Sequence, residues 1–188
     1  MKTTPVVSDL VPVFAPAVIK CVIIYEDFAT GVHAKHFAEM LADGLGGSCD
    51  CESLWRSELL DSPELGDGVA RDAAASDFVI LGLRGDRDLS FGFKRWIQSW
   101  LTLTVDRGCS LITLFDPNRS TQPTASGARY FLHDMSATAG IAFFAYCPNG
   151  NDVPSAPALG DHAEVIERPA PRRRIVRRQE IHEILVTA

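Results

Sequence analysis

The chain has 188 residues and a formal net charge of −6, with 46% hydrophobic and 22% charged residues. This length fits one domain of ordinary size with terminal extensions, and the composition is that of a globular protein that can bury a core. It argues against a disordered chain, and no apolar run approaches the roughly 18 residues that a membrane-spanning helix requires.

The N-terminal segment does not resemble a secretory signal. It carries one lysine and is interrupted by Pro5, Pro12 and Pro16, whereas a signal needs a basic start and an unbroken apolar stretch. Five scattered cysteines, an odd number, favour a reducing compartment over a disulfide framework. We therefore expect a cytoplasmic protein with an N-terminal extension at residues 1–17 and a folded domain at residues 18–150.

Apolar runs and helical periodicities alternate along this domain. In chain order, the pattern predicts a strand at Val18–Tyr25, a helix at Thr30–Leu45, a strand at Cys49–Trp55, a helix at Pro63–Ala75, a strand at Phe78–Leu83, a helix at Ser90–Leu103, a strand at Cys109–Phe115, a helix at Thr124–Thr138 and a strand at Ile141–Tyr146. Thr30 and Ser62 are the predicted N-caps of the first two helices.

The alternation of strands and helices predicts an α/β fold, a three-layer sandwich with a five-stranded parallel sheet. The first strand is continuously apolar, which is typical of a strand buried on both faces. The second strand alternates and is the least apolar, so it belongs at an edge. This placement favours strand order 2-1-3-4-5, the flavodoxin-like order, over 3-2-1-4-5.

In such sheets, ligands bind beyond the carboxyl ends of the strands, where the strand order reverses. Here that rim follows the first and third strands and extends to the ends of the fourth and fifth. The residues predicted to bind a ligand there are Thr30, Gly31, Arg84, Asp86, Asn118 and Asn149, and the candidate catalytic residues are Glu26, Asp27, Asp116 and Cys147.

The sequence from Phe28 to His33 resembles the phosphate loop of flavodoxins, in which hydroxyls and backbone N–H groups at a helix N-terminus hold the flavin phosphate. Thr30 and Gly31 match that pattern, whereas Phe28 and His33 replace its outer hydroxyls. This resemblance implies FMN as a candidate cofactor. Simple helix capping by Thr30 is the structural alternative.

Glu26 and Asp27 are similar to the acidic pair that binds Mg²⁺ in response-regulator receiver domains. In that family the third strand ends in a phospho-accepting aspartate and the fifth in Lys-Pro; here Arg84 and Cys147-Pro148 stand near those places. The resemblance therefore implies a receiver-like fold without the phosphorylation switch. We hypothesise that Arg84 pairs with Asp27 and places its guanidinium where the metal would lie.

No metal site is predicted. His33 and His36 share a helix face near Glu26 and Asp27 but have no evident third ligand, and the pair Cys49 and Cys51 faces one side of a strand without a second cysteine pair. A nucleophilic Cys147 would need a base, and His133, the closest histidine in sequence, falls within a helix. The phosphate-binding Gly-x-Gly-x-x-Gly and Walker motifs and the Gly-x-Ser-x-Gly elbow are absent.

Two features concern partners. The helix around residues 90–104 is apolar over more than half its circumference, and its aromatic residues Phe93, Trp96 and Trp100 are the candidate contacts; this indicates either cover by the C-terminal segment or a homodimer interface. The segment 151–188 reads as a loop followed by a basic stretch with six arginines between Arg168 and Arg178. Docking on a protein fits this stretch better than binding nucleic acid, because no aromatic residues accompany the charges.

These observations favour a non-enzymatic, regulatory or protein-interaction domain. One alternative is an enzyme that binds FMN or another small molecule at the loop after the first strand. A second is a divergent hydrolase or transferase that uses the carboxylates at the strand ends.

Overall fold

The structure is a computed structural model that describes residues 17–104, 108–116 and 123–146. The N-terminal extension up to residue 16, the C-terminal segment 151–188 and the site candidates Asn118, Cys147 and Asn149 lie outside the described residues. Within those ranges, no helix is long and apolar enough to cross a membrane.

The described elements follow the predicted order. They are β1 (Ala17–Tyr25), α1 (Phe28–Gly44), β2 (Gly47–Arg56), a short 3₁₀ helix (Ser57–Asp61), α2 (Pro63–Ala74), β3 (Phe78–Leu83), α3 (Phe91–Thr104), β4 (Ser110–Phe115), α4 (Pro123–Ala139) and β5 (Ala142–Tyr146). The 3₁₀ helix is the one element of this list that the sequence patterns did not predict.

All neighbouring strands pair in parallel, and their order in the sheet is β2-β1-β3-β4-β5. The predicted fold class and strand order are therefore confirmed, including β2 at an edge. Its register against β1 shifts by one residue after Lys20, and this β-bulge was not predicted.

Helices cover both faces of the sheet and divide the core in two. Successive β1 side chains point to opposite faces, so Ile23 packs with α1 residues such as Phe37 and Leu41. Ile24 points the other way, into a larger cluster that α2, α3 and α4 supply. All six residues of β3 are buried, as expected for a strand in the middle of a parallel sheet.

The aromatic residues of α3 belong to this larger cluster. Phe93, Trp96 and Trp100 are 2%, 3% and 0% exposed, and their rings stack in sequence along the helix. The indole N–H of Trp96 donates a hydrogen bond to the carbonyl of Gly66 on α2, at 3.1 Å. These three side chains therefore pack within the protomer and do not present an exposed surface to a second copy. The homodimer through the helix around residues 90–104 stays a prediction.

Candidate functional site

The candidate site lies on the rim formed where β1 and β3 end. The backbone N–H of Glu26 donates to the carbonyl of Gly82 at 3.0 Å, which continues the pairing of the two strands past Tyr25. Glu26 therefore enters the space beyond β3, next to the loop that begins at Arg84. The candidates Glu26, Asp27, Thr30 and Gly31 follow β1, and Arg84 and Asp86 follow β3, at the strand reversal where ligands bind in folds of this kind.

Glu26 is a buried carboxylate, with only 7% of the residue exposed. One carboxylate oxygen accepts the backbone N–H of Arg84, and the other accepts the Nε–H of Arg87 at 3.1 Å. Burying a charge is costly unless it is paired and hydrogen-bonded. The loop after β3 meets this requirement by supplying one backbone donor and one guanidinium.

Arg84 makes its main contact with another residue of the same loop. Its Nε and Nη2 donate to the two carboxylate oxygens of Asp86, at 3.1 and 2.7 Å. The hydrogen bond with Asp86 raises the pKa of the Arg84 guanidinium above its ordinary value. The hypothesised pairing of Arg84 with Asp27 is present at 4.0 Å and is the longer of the two contacts.

Asp27 and Thr30 are joined in a capping box at the start of α1. Asp27 is the N-cap residue, and its carboxylate accepts the backbone N–H of Thr30 at 2.9 Å. The Thr30 hydroxyl in turn accepts the backbone N–H of Asp27 at 3.1 Å. The prediction that Thr30 is the N-cap was therefore wrong by three residues. Asp27 is the N-cap, and Thr30 completes the capping box from the first turn of the helix.

This capping box bears on the resemblance to a flavodoxin phosphate loop. A bound phosphate would need the hydroxyl of Thr30 and the free N–H groups of the first helical turn. Here the hydroxyl is engaged by Asp27, whose own carboxylate lies at the helix N-terminus. A carboxylate in that position satisfies the helix end and repels a phosphate dianion.

The energetic weight of the capping box can be measured by replacing Thr30 with valine, which keeps the buried shape and removes the hydroxyl. We expect Thr30→Val to lower the free energy of unfolding by about 1 kcal/mol, the usual cost of losing a helix cap. Chemical denaturation measures it. Thr102→Val, an exposed threonine on α3, is the matched control and should change stability less. Equal effects of the two substitutions would show that the box contributes nothing specific.

Two glycines let α1 approach the sheet closely at this rim. A Cβ atom on Gly31 would lie 2.9 Å from the ring of Tyr25, and one on Gly82 would lie 2.6 Å from the carbonyl oxygen of Thr30. Both distances are too short for a real side chain. Gly31, predicted to bind a ligand, therefore has a packing role that explains its presence without one.

A small open cavity of about 150 Å³ lies beside the Glu26–Arg87 pair. Its wall combines that pair with residues of the 3₁₀ helix, of the loop before α3 and of the first turn of α3: Ser57, Glu58, Asp61, Asp88, Leu89, Ser90 and Phe93. Sites for drug-sized ligands usually measure about 300–1,000 Å³. The cavity thus has room for a small polar group rather than for a flavin.

Sequence reasoning missed Arg87, Ser57 and Asp61 as parts of this site. The signal for Arg87 was present, since it lies three residues after Arg84 in the same rim loop. Ser57 and Asp61 reach the site because they lie on the 3₁₀ helix, and no sequence periodicity predicted that helix. Asp116, the fourth-strand candidate, does reach the rim: its backbone N–H donates to the carbonyl of Leu83 at 2.9 Å.

A second cluster lies away from the rim, between β1 and β2. Among the described residues, the one group of three potential metal ligands consists of Cys21, Cys49 and Cys51. His33 and His36 belong to no such group within those ranges. Cys49 and Cys51 were predicted to face one way, and they do; the disulfide that joins them was not predicted, because the odd number of scattered cysteines had favoured free thiols. Sequence spacing did not reveal Cys21 as the third member.

The two remaining described cysteines are poor nucleophiles. Burial raises the pKa of Cys21 to about 12, with Asp77 adding to the effect, and burial likewise raises the pKa of Cys109 to about 12. Both are protonated at neutral pH, and the thiolate is the reactive form of cysteine. They therefore behave as buried thiols rather than as catalytic groups.

The fold and the rim together define a flavodoxin-like α/β sandwich with a carboxylate and two arginines at the strand reversal. Comparisons with protein-family models and with curated proteins find no match to this sequence.

Proposed function

We propose that this chain is a regulatory or protein-interaction domain of flavodoxin-like fold that acts without catalysis at its rim. The observation that carries the proposal is the buried Glu26, whose carboxylate oxygens accept hydrogen bonds from Arg84 and Arg87. A group that is to bind a metal or move a proton needs a free coordination position. Here each carboxylate oxygen of Glu26 already accepts one hydrogen bond from the protein, so a metal ion would have to compete with the Arg87 guanidinium for Glu26.

The positions of these arginines can be compared with the Mg²⁺ site of the receiver domains that the sequence resembles. In those domains, Mg²⁺ lies between the acidic pair after the first strand and an aspartate after the third. In this chain, arginines enter that space from the third-strand side, with Arg87 on Glu26 and Arg84 4.0 Å from Asp27. A guanidinium held there supplies the positive charge that the metal would supply. We infer a receiver-like domain that no longer depends on Mg²⁺ or phosphorylation.

Exposed aromatic residues beside this rim support a role in protein contacts. Phe28 and Phe91, the first residues of α1 and α3, are 84% and 82% exposed. Both helices start at the carboxyl edge of the sheet, so the two rings stand on the same rim as the Glu26–Arg87 pair. Aromatic side chains with arginines nearby are the residue types enriched in protein interfaces.

The FMN-binding and carboxylate-enzyme alternatives find less support. The capping box takes up the hydroxyl of Thr30, and the neighbouring cavity of about 150 Å³ is small for a flavin. For a hydrolase or transferase, Glu26 would have to be released from its two arginine contacts before it could act on a substrate.

The proposal is tested by calorimetric titration with Mg²⁺ and by thermal unfolding with FMN. We expect no Mg²⁺ binding at millimolar concentration, a colourless purified protein and no thermal shift with FMN. Arg87→Ala should create weak Mg²⁺ binding, because it removes the guanidinium from Glu26 and leaves a carboxylate pair, the ligand type that Mg²⁺ prefers. Arg95→Ala, an exposed arginine of α3, is the matched control and should create none.

Tight Mg²⁺ binding by the unmodified protein would contradict the proposal, and so would a yellow protein that retains flavin through purification. If Arg87→Ala and Arg95→Ala bound Mg²⁺ equally, the guanidinium of Arg87 would not be what excludes the metal.

A further inference from the structure

The cysteine cluster is built by two adjacent strands at the edge of the sheet. Cys21 lies on β1, and Cys49 and Cys51 lie on β2. In the pairing of the strands, Lys20 is opposite Asp50 and Val22 is opposite Ser53, so the backbone of Cys51 and the residue after it together face Cys21. This bulge brings the Cα atoms of Cys49 and Cys51 to 5.5 Å, closer than two residues of a regular strand.

The sulfur of Cys21 lies close to both sulfurs of the Cys49–Cys51 disulfide. The Sγ atoms of Cys21, Cys49 and Cys51 all lie within 4.8 Å of one another. Metal–thiolate bonds of about 2.3 Å place three ligands around one ion about 4.0 Å apart when the ion lies in their plane. Once the bond between Cys49 and Cys51 is reduced, rotation about their Cα–Cβ bonds has to separate these two sulfurs to that distance, whereas the Cys21 sulfur already lies within 4.8 Å of both.

The chemistry of the ligands selects the kind of ion. Thiolates are soft ligands, which favour Cu(I), zinc and iron–sulfur clusters over hard cations such as Mg²⁺. Structural zinc sites are almost always four-coordinate, and the described part of the chain supplies three ligands here. Burial raises the pKa of the Cys21 thiol, and Asp77 and Asp50 add to this effect, so the metal has to displace the thiol proton when Cys21 becomes a ligand.

We propose that Cys21, Cys49 and Cys51, in their reduced form, bind one soft monovalent metal ion of the Cu(I) type through three sulfur atoms. The site is independent of the rim, since it lies within the β1–β2 pair and on the face that α1 covers. Cys21 forms its buried floor, at 2% exposure, while Cys49 and Cys51 are half-buried on the edge strand and give an ion access from solvent.

The disulfide between Cys49 and Cys51 is the state in which this site is closed, because two of the three ligands are bonded to each other. A phosphine reductant opens it: the disulfide, one phosphine and one water give two thiols and one phosphine oxide. The metal experiment therefore starts from phosphine-reduced protein kept free of oxygen.

The test is titration of the reduced full-length chain with Cu(I) in competition with a chromogenic Cu(I) chelator. We expect one ion per chain to be withheld from the chelator. Replacing one ligand, as in Cys21→Ser, Cys49→Ser or Cys51→Ser, should weaken binding by at least about 100-fold, more than loss of an outer-sphere contact usually does. Cys109→Ser removes a buried cysteine that is outside the cluster and should leave the affinity unchanged.

A second readout guards against loss of folding in Cys21→Ser. Because Cys49 and Cys51 are half-buried, bound Cu(I) should protect both from alkylation by N-ethylmaleimide, as seen by mass spectrometry, in the unmodified protein and in Cys109→Ser. An affinity of Cys21→Ser for Cu(I) equal to that of the unmodified protein would overturn the three-sulfur site. Binding of Zn²⁺ as tight as that of Cu(I), measured in competition with a Zn²⁺ chelator, would do so as well. Unprotected Cys49 and Cys51 in the Cu(I)-loaded protein would do the same.

Discussion

Trp100→Ala is expected to lower the free energy of unfolding by about 3–5 kcal/mol, the range found when a large core aromatic is truncated. Trp100 is 0% exposed and lies in the cluster shared by the sheet, α2, α3 and α4. Its ring stacks on that of Trp96, with centroids 5.7 Å apart and planes 8° from parallel. Alanine would lose this contact and leave a cavity that the surrounding helices cannot fill without moving.

Urea denaturation followed by circular dichroism measures this loss. Leu103→Ala is the matched control on the same helix. Because Leu103 is 43% exposed, its substitution should lower the free energy of unfolding far less. A cost below about 1 kcal/mol for Trp100→Ala would contradict the burial of this ring and would restore the idea of a subunit interface on α3.

The two indoles also differ in hydrogen bonding. Trp96 donates to Gly66, whereas the Nε1–H of Trp100 has no acceptor in the described part of the structure. Trp96→Phe should therefore cost more than Trp100→Phe, although both remove similar ring volume, because only the first loses a buried hydrogen bond. The reverse order would show that cavity size outweighs hydrogen bonding here.

The sheet was predictable because each strand is a contiguous run of residues, and the residue types in that run indicate whether one or both of its faces are buried. The continuous apolar residues of β1 and β3 require cover on both faces, and the weaker alternation of β2 fits an edge. The order β2-β1-β3-β4-β5 then follows from right-handed crossover connections between parallel strands, together with the placement of β2 at an edge. These are properties of single segments, which sequence patterns report well.

The burial of α3 could not be predicted from its own sequence, because it depends on the helices that pack on either side of it. A helix that packs only on a sheet needs an apolar stripe about 100° wide, so the wider surface of α3 indicated a further partner. In this order of strands α2, α3 and α4 share one face, and α3 has α2 and the 3₁₀ helix on one side and α4 on the other. Its wide apolar surface is thus explained by a central position in the layer.

The cysteine cluster illustrates the same difference between local and long-range information. Cys49 and Cys51 could be assigned to one side of a strand from their spacing of two. Cys21 joins them only because β1 is the neighbour of β2 and because the bulge sets their register. Register between strands that are 30 residues apart in sequence is decided by packing of the whole sheet, which periodicity does not encode.

The strand ends that form the rim followed from the predicted strand order, while the side-chain pairings at the rim were only partly foreseen. Arg84 was expected to meet Asp27, and the structure has it chiefly on Asp86, with Arg87 taking Glu26. Which of two nearby arginines meets which carboxylate depends on the path of the loop after β3. Both positive-φ Gly85 and the hydrogen bond from the backbone of Arg84 to Glu26 shape that path.

Glu26→Ala is expected to lower the free energy of unfolding by about 2–3 kcal/mol. The substitution leaves the backbone N–H of Arg84 without its acceptor, which costs about 1–3 kcal/mol for a buried donor, and it removes a charge-assisted bond to Arg87. Glu26→Gln should also destabilise, because a Gln side chain has one oxygen for two donors and turns an N–H towards the other.

The share of this loss that belongs to the ion pair is measured by a double-mutant cycle of Glu26→Ala and Arg87→Ala. Arg87 is 50% exposed and Glu26 is 8% exposed at the side chain, so solvent screens the pair and we expect a coupling of only about 0.5–1 kcal/mol. The larger part should then be the backbone bond to Arg84, which persists in Arg87→Ala. A coupling close to the whole cost of Glu26→Ala would instead make the guanidinium, and not the backbone of the loop, the group that holds Glu26 in the rim.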